Sequence, residues 1–238
     1  MSEPQNKPRI GRTIAIGDIH GCAAALSAIL GAIQPTKEDT IVVLGDFVDY
    51  GPDSKGVISQ LIELESRCQL VTLMGNHEEM MLAARERFSE VRYWMRFGGE
   101  KTMRSYGIRG SWELVPKEHI RFIRKCRNYL ETDSHIFVHA SYLPNLSMDQ
   151  QSTTVMRWAF LESQNARPHH TNKRVIVGHT CQKSAEILDL GFVVCIDTNC
   201  CGGGWLTALD VATGQIWQAD RTGRIRPHDT GKSTSQIS

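Results

Sequence analysis

Three short apolar runs open the chain, each closed by a polar turn: RTIAIGD (12–18), TIVVLGD (40–46) and QLVTLMGN (69–76). Ile, Val and Leu crowd each run, which is too short for an independent helix. The pattern predicts strands buried on both faces, as in a parallel sheet. Helical periodicity follows each run: CAAALSAILGAI (22–33), then VISQLIELES (57–66) with Ile58, Leu61, Ile62 and Leu64 on one side, then EEMMLAARERF (78–88). Such βαβ units carry the polar residues at the carboxyl ends of successive strands to one edge of the sheet. Motifs far apart in sequence can therefore form one site.

From about 85 to 130 the strand signal stops. Tryptophans, arginines and a helical stretch, EHIRFIRKCRNYL (118–130), predict a helical insertion. Strands resume with HIFVHA (135–140), RVIVGHT (174–180) and FVVCIDT (192–198). The ATG inside WLTALDVATGQIWQA (205–219) predicts a hairpin, so this half reads as more sheet, largely antiparallel. Residues 1–9 and 220–238 are polar and read as flexible ends, leaving one domain over 10–219 with the insertion at about 85–130.

Composition narrows the class. Of 238 residues, 41% are hydrophobic and 22% charged, as in an ordinary globular protein, and no apolar run reaches the ~18–20 residues of a membrane span. The opening MSEPQNKPR lacks the apolar stretch of a secretory signal, so the expected address is cytoplasmic, with no membrane partner. Seven cysteines without CxxC spacing suit reduced thiols. A formal charge of +1 argues against a dedicated nucleic-acid binder. Within 85–127, however, 12 Lys and Arg face only 5 Asp and Glu.

Five motifs close the strands: GDIHG (17–21), GDFVDYG (45–51), GNHE (75–78), the HA of FVHA (139–140) and GHT (178–180). Each offers Asp, His or Asn, ligands that suit Mn, Fe, Zn or Mg. An extended strand end would point Asp18 and His20 the same way. Any one motif alone is more often a turn, a cap or a hydrogen-bonded core residue. The agreement of all five in order, strand context and ligand chemistry is what points to a metal site.

GD-x-HG, GD-x-VD-x-G, GNHE, a later HA and GHT together resemble the signature of the phosphoprotein phosphatase branch of the calcineurin-like metallophosphoesterases. That branch includes bacterial serine/threonine protein phosphatases, the phage lambda phosphatase and symmetrical diadenosine tetraphosphatases. WMRFGGEKTMRSYG (94–107) is similar to a further element of bacterial members. The resemblance implies a four-layer α/β/β/α sandwich and a pair of divalent metal ions, manganese first among Mn, Fe, Zn and Mg. Asp18, His20 and Asp46 would hold one ion, with Asp46 bridging to a second held by Asn76, His139 and His179. His77, beside the ligand Asn76, would point away from the metals and protonate the leaving oxygen, with Asp49 orienting its imidazole.

One position departs from the family. An arginine that grips phosphate is expected where this chain has Tyr50, which lacks a guanidinium's charge and fork. A second phosphate arginine is implied after the HA motif, and Arg157 beside Trp158 could fill that place or make an ordinary surface ion pair. The basic insertion could supply Arg96, Lys101 or Arg104, or simply face water. Cys22 reads as a small buried residue at a helix start, and Cys200 and Cys201 as loop packing, with metal binding or a vicinal disulfide as alternatives. The expected activity is hydrolysis of phosphomonoesters, phosphorylated Ser or Thr in proteins first, or of another small phosphorylated substrate. The alternatives are symmetrical hydrolysis of diadenosine tetraphosphate and a non-catalytic phosphate-binding module.

Overall fold

A computed structural model describes residues 11–107 and 112–227. The expectations for residues 1–9, and for the tail beyond 227, lie outside the described residues. The first three runs form β1 (Thr13–Ile16), β2 (Thr40–Val43) and β3 (Gln69–Thr72), parallel, with Thr13 opposite Thr40 and Thr40 opposite Gln69. The helix α1 (Ala23–Ile33) joins β1 to β2 and buries Ala25, Leu26, Ile29, Leu30 and Ile33 at helical spacing. It stops where Gln34 turns left-handed ahead of Pro35. The next helix, α2 (Ser54–Leu64), starts on an Asp53 carboxylate that accepts the Gly56 N–H and buries Val57, Ile58, Leu61 and Leu64.

The helix expected after β3 is α3 (Asn76–Glu86), and the insertion contains α4 (Phe88–Trp94), α5 (Glu100–Ser105) and α6 (Lys117–Arg124). The helix expected over 118–130 ends early. Beyond Arg124 the chain lies along the edge of β3, where Arg127 N–H donates to Thr72 O, and enters β4 (Tyr129–Glu131), which pairs antiparallel with β5 (His135–Val138). Pairing with distant strands overrides local helical periodicity there. A short helix, α7 (Thr153–Trp158), precedes β6 (Arg174–Val177), β7 (Leu188–Asp189) and β8 (Val193–Cys195). The chain's last strands, β9 (Leu206–Asp210) and β10 (Ile216–Ala219), form the expected hairpin.

The sheets run β10-β9-β1-β2-β3 and β4-β5-β6-β8-β7. The second was expected to be largely antiparallel, but β5, β6 and β8 are parallel and only its edge strands reverse. Those three runs are apolar on both faces and need two covers, the condition for parallel strands. Alternation sorts the faces. Ala15, Val42, Phe137, Ile176 and Val194 meet between the sheets, Ile14, Ile16, Ile41 and Val43 face α1 and α2, and Ile136, Val138, Val175 and Val177 face Met148, Met156 and Leu161. Each fully buried aliphatic side chain contributes about 1.5–3 kcal/mol. The fourth layer is thus loops and α7 rather than long helices.

Residues 220–227, expected to belong to a flexible tail, are tied to the body in the described part. Asp220 accepts from the N–H groups of Thr222 and Arg224, and Arg226 reaches Glu186 at 2.8 Å. No helix among the described residues is long and apolar enough to cross a membrane.

Candidate metal centre

The five motifs converge at the carboxyl ends of β1, β2, β3, β5 and β6. The expected extended Asp18-x-His20 geometry is not what forms. β1 ends at Ile16, and His20 is left-handed, at φ +44°, as are Asp46 (+47°), Asp49 (+70°), Tyr50 (+54°) and His179 (+60°). Such backbone is costly for non-glycine residues and clusters at functional sites. Gly45, at φ +108°, permits a close approach: a Cβ there would stand 2.8 Å from Gly75 N and from His139 Nδ1.

Asp46 is the centre. His139 Nε2 lies 3.4 Å from its Oδ1, while His20 Nε2 lies 3.8 Å and His77 Nε2 3.9 Å from its Oδ2. Donor atoms fall into two groups that share Asp46, one with His20 and His77 and one with His139 and His179. Asn76 Oδ1 is 3.2 Å from His139 Nε2. Asp18 is placed differently: both its oxygens accept from the His179 N–H, at 3.1 and 3.0 Å, so the residue also braces the GHT turn.

Hydrogen bonds fix the imidazole tautomers. The Nδ1 atoms of His20 and His139 lie 3.0 Å from Val48 O and 2.9 Å from Leu44 O. A carbonyl can only accept, so each Nδ1 carries a proton and each Nε2 is turned toward Asp46. In His179 the roles reverse, because Nε2 donates to Trp158 O at 3.2 Å. Burial lowers His20 and His179 to about 4, leaving both neutral at pH 7, the form that binds a cation. Burial pulls Asp46 up, but His139, His77 and His20 outweigh it and hold the carboxyl well below the usual range. Asp18 is pushed well up by burial and then by Asp197 and Asp46, and Asp197 is raised to about 6, burial first. Burial alone would lower His139 too, but Asp46 outweighs it and raises it. Crowded buried carboxylates, imidazoles and a carboxamide form a donor set that fits hard or borderline divalent cations.

His77 does not turn away from the cluster. Its ring centroid is 4.8 Å from that of His20 and 5.0 Å from that of Tyr50. Its Nδ1 lies 2.8 Å from Asp49 Oδ2, which leaves Nε2 toward the cleft. Asp49 is fully buried and also receives the Trp94 indole N–H at 2.9 Å and the Thr102 hydroxyl at 2.7 Å. Burial raises the Asp49 carboxyl, yet its donors all stabilise the ionised form. Burial alone would lower His77 as well, but Asp46 and the Asp49 hydrogen bond raise it to about 9. An imidazole raised in this way carries protons on both nitrogens and has no lone pair to offer a metal.

Several supporting residues carried no assigned role in the sequence. Glu78, the last letter of GNHE, is fully buried and accepts from the N–H groups of Asp46 (2.8 Å), Phe47 (2.9 Å), Val48 (3.2 Å) and Gly75 (3.1 Å). Burial and Asp46 push it up to about 7. The WMRFGG element has a physical role too: Trp94 and Thr102 both reach Asp49 from the insertion. Gly98, at φ +93°, passes so close to the Tyr50 loop that a Cβ would lie 2.5 Å from Tyr50 N.

The candidate phosphate cations divide. Arg157 does not line the metal cleft: it faces Glu79 at 3.3 Å and Asn128 Oδ1 at 2.6 Å. Arg96 is exposed. Arg104 pairs with Glu100 and, with Lys101, lines an adjoining cleft. Tyr50 sits between the two clefts. All seven cysteines are free thiols, Cys200 and Cys201 included.

Residues 11–195 match the model of the calcineurin-like phosphoesterases. The chain belongs to this family. A relative, serine/threonine-protein phosphatase 1 of Salmonella typhimurium, is 28% identical over 81% of this chain and 88% of its own. Symmetrical bis(5'-nucleosyl)-tetraphosphatase of Proteus mirabilis is 25% identical, covering 83% and 93%. The crystal structure of a cold-active protein-tyrosine phosphatase from a Shewanella species superimposes with a TM-score of 0.63 over 92% of this chain and 80% of that one, at 18% identity, a likeness of fold alone. Membership makes this chain a phosphoric-ester hydrolase of the metallophosphoesterase type, and the relatives' names divide between two substrates.

Proposed function

We propose that the chain hydrolyses a phosphoric ester with two divalent cations, held by Asp18, His20 and Asp46 on one side and by Asp46, Asn76, His139 and His179 on the other. When bound, the cations lower the pKa of a water so that it can attack phosphorus, and they offset charge on the phosphoryl oxygens. The position of Asp46, with one oxygen toward His20 and the other toward His139, carries this reading.

The protein's own groups supply the rest. An oxygen–phosphorus bond forms to the water oxygen as the bond from phosphorus to the leaving oxygen breaks. His77 Nε2 gives its proton to that leaving oxygen, while Asp49, held by Trp94 and Thr102, keeps the ring oriented. The deep burial of Asp46, Asn76 and His139 limits bulk water around the reacting atoms.

For the substrate, the Salmonella relative's name supports a phosphorylated Ser or Thr side chain. A second reading, a dinucleoside polyphosphate, draws on Phe160. It is 69% exposed and stacked on His179 with centroids 5.0 Å apart, a flat apolar face at the mouth of the cleft. The test of hydrolysis is release of p-nitrophenol from p-nitrophenyl phosphate by chelator-treated protein before and after Mn is restored. Turnover appearing only with metal is expected; protein that binds two ions and releases none overturns the reading.

A further inference from the structure

Beside the metal cleft of 350 Å³ lies a larger one of 560 Å³, and Tyr50 and Cys201 line both. Three cations line the larger cleft, Lys101 and Arg104 from α5 and Arg221 from the turn after β10, and its other lining residues are uncharged. This differs from two other surface clefts, where Arg87 stands with Glu79 and Glu90, and Arg167 with Glu162. For a chain of net charge +1, three cations without a lining carboxylate form a local anion trap.

The three are set on fixed supports. Lys101 and Arg104 flank Thr102, whose hydroxyl is bound to Asp49. Arg221 sits in a turn closed by Asp220, which accepts from Thr222 N at 2.9 Å and Arg224 N at 3.1 Å. Lys101 and Arg221 have no hydrogen-bond or ion-pair partner among the described residues. Arg104 pairs only with Glu100 one turn away, both largely exposed, a contact an incoming anion can displace.

A phosphomonoester presents its charge at the reacting phosphoryl, where the metal centre takes it. It leaves nothing for three cations on the far side of Tyr50. A phosphate chain continues past the reacting group and carries further negative charge with it. The cleft's volume is within the roughly 300–1,000 Å³ usual for small-ligand sites. We infer that it binds the non-reacting phosphates of a small polyphosphorylated substrate, with Lys101, Arg104 and Arg221 in place of the cation absent at Tyr50. The inference rests on the hydrolytic reading above and adds to it the substrate class.

The test compares wild type, Lys101→Ala, Arg221→Ala and the double variant on three substrates: diadenosine tetraphosphate, p-nitrophenyl phosphate and a phosphothreonine peptide with acidic flanks. The double variant is expected to lower the ratio of kcat/KM for the tetraphosphate over p-nitrophenyl phosphate about ten-fold or more, since two charge-assisted contacts are removed, with Arg221→Lys retaining most of it. An unchanged ratio, or a larger loss for the acidic peptide, overturns the inference. Calorimetric binding of inorganic tripolyphosphate to chelator-treated protein separates this outcome from failure of the hydrolytic reading. Binding weakened about ten-fold in the double variant upholds the cleft even if no substrate is turned over. Equal binding by wild type and double variant overturns it.

Discussion

The indole N–H of Trp94 donates to the Asp49 carboxylate, 2.9 Å from Oδ2 and 3.1 Å from Oδ1, and the same Oδ2 lies 2.8 Å from His77 Nδ1. A buried tryptophan from the helical insertion therefore acts on the metal cleft through two intermediates. Trp94→Phe keeps most of the ring and deletes the donor. The cost in stability is about 1–3 kcal/mol, that of a lost buried partner. The kinetic signature is more specific: kcat falls about ten-fold for phenyl phosphate and less for p-nitrophenyl phosphate, whose better leaving group needs less protonation. Equal losses for both esters would show that Trp94 matters only for folding.

Glu78 tests the support beneath Asp46. Its carboxylate accepts from four backbone N–H groups that shape the turn on which Asp46 sits. Glu78→Gln replaces one accepting oxygen with an NH₂ that opposes N–H donors. Mn affinity, read by calorimetry, should drop about 10–100-fold, as when a ligand's orienting partner is lost. Unaltered affinity would mean that the turn holds its shape without the charge.

Gly98→Ala places a methyl 2.5 Å from Tyr50 N at a φ of +93°. Strain of about 1–3 kcal/mol is expected in urea unfolding. The displaced Tyr50 loop should also raise KM. Wild-type stability and KM together would contradict the close approach.

Away from the site, Asp39 is fully buried and accepts from Arg12 Nη2 at 2.7 Å, Arg12 Nε at 3.1 Å, Arg12 N at 2.9 Å and Thr36 N at 2.9 Å. Burial pulls the carboxyl up, but the Arg12 and Thr36 donors outweigh it and hold it below the usual carboxylate range. A depressed folded pKa gives stability that is complete above the unfolded value of about 3.9 and is lost as pH falls toward the folded value. Asp39→Asn should lose about 3 kcal/mol at pH 7, the lower end for breaking a buried pair, and show a flatter stability profile below pH ~4. Parallel profiles for the two proteins would remove Asp39 from the acid response.

The sequence made the strands and the candidate metal donors legible because both are local signals: unbroken Ile and Val runs, and Asp or His at their ends. It left unread what depends on distant partners. Tyr129–Glu131 continues a helical pattern yet pairs with β5. His77 was expected to face away from the metals, yet its ring packs against those of His20 and Tyr50. Arg157 beside Trp158 carries no sign that Glu79 and Asn128 hold it. Trp94 and Thr102 lie in the 94–107 element, but their reach to Asp49 spans 45 and 53 residues.

Asp46 is expected to join two cations in one centre. Electron paramagnetic resonance of the Mn-loaded protein, with metal content measured on the same samples, tests it most directly. The expected wild-type result is two ions per chain with a spin-coupled spectrum, and loss of the coupling in Asp46→Asn. A wild-type spectrum of isolated ions, or one ion per chain at saturation, would contradict it.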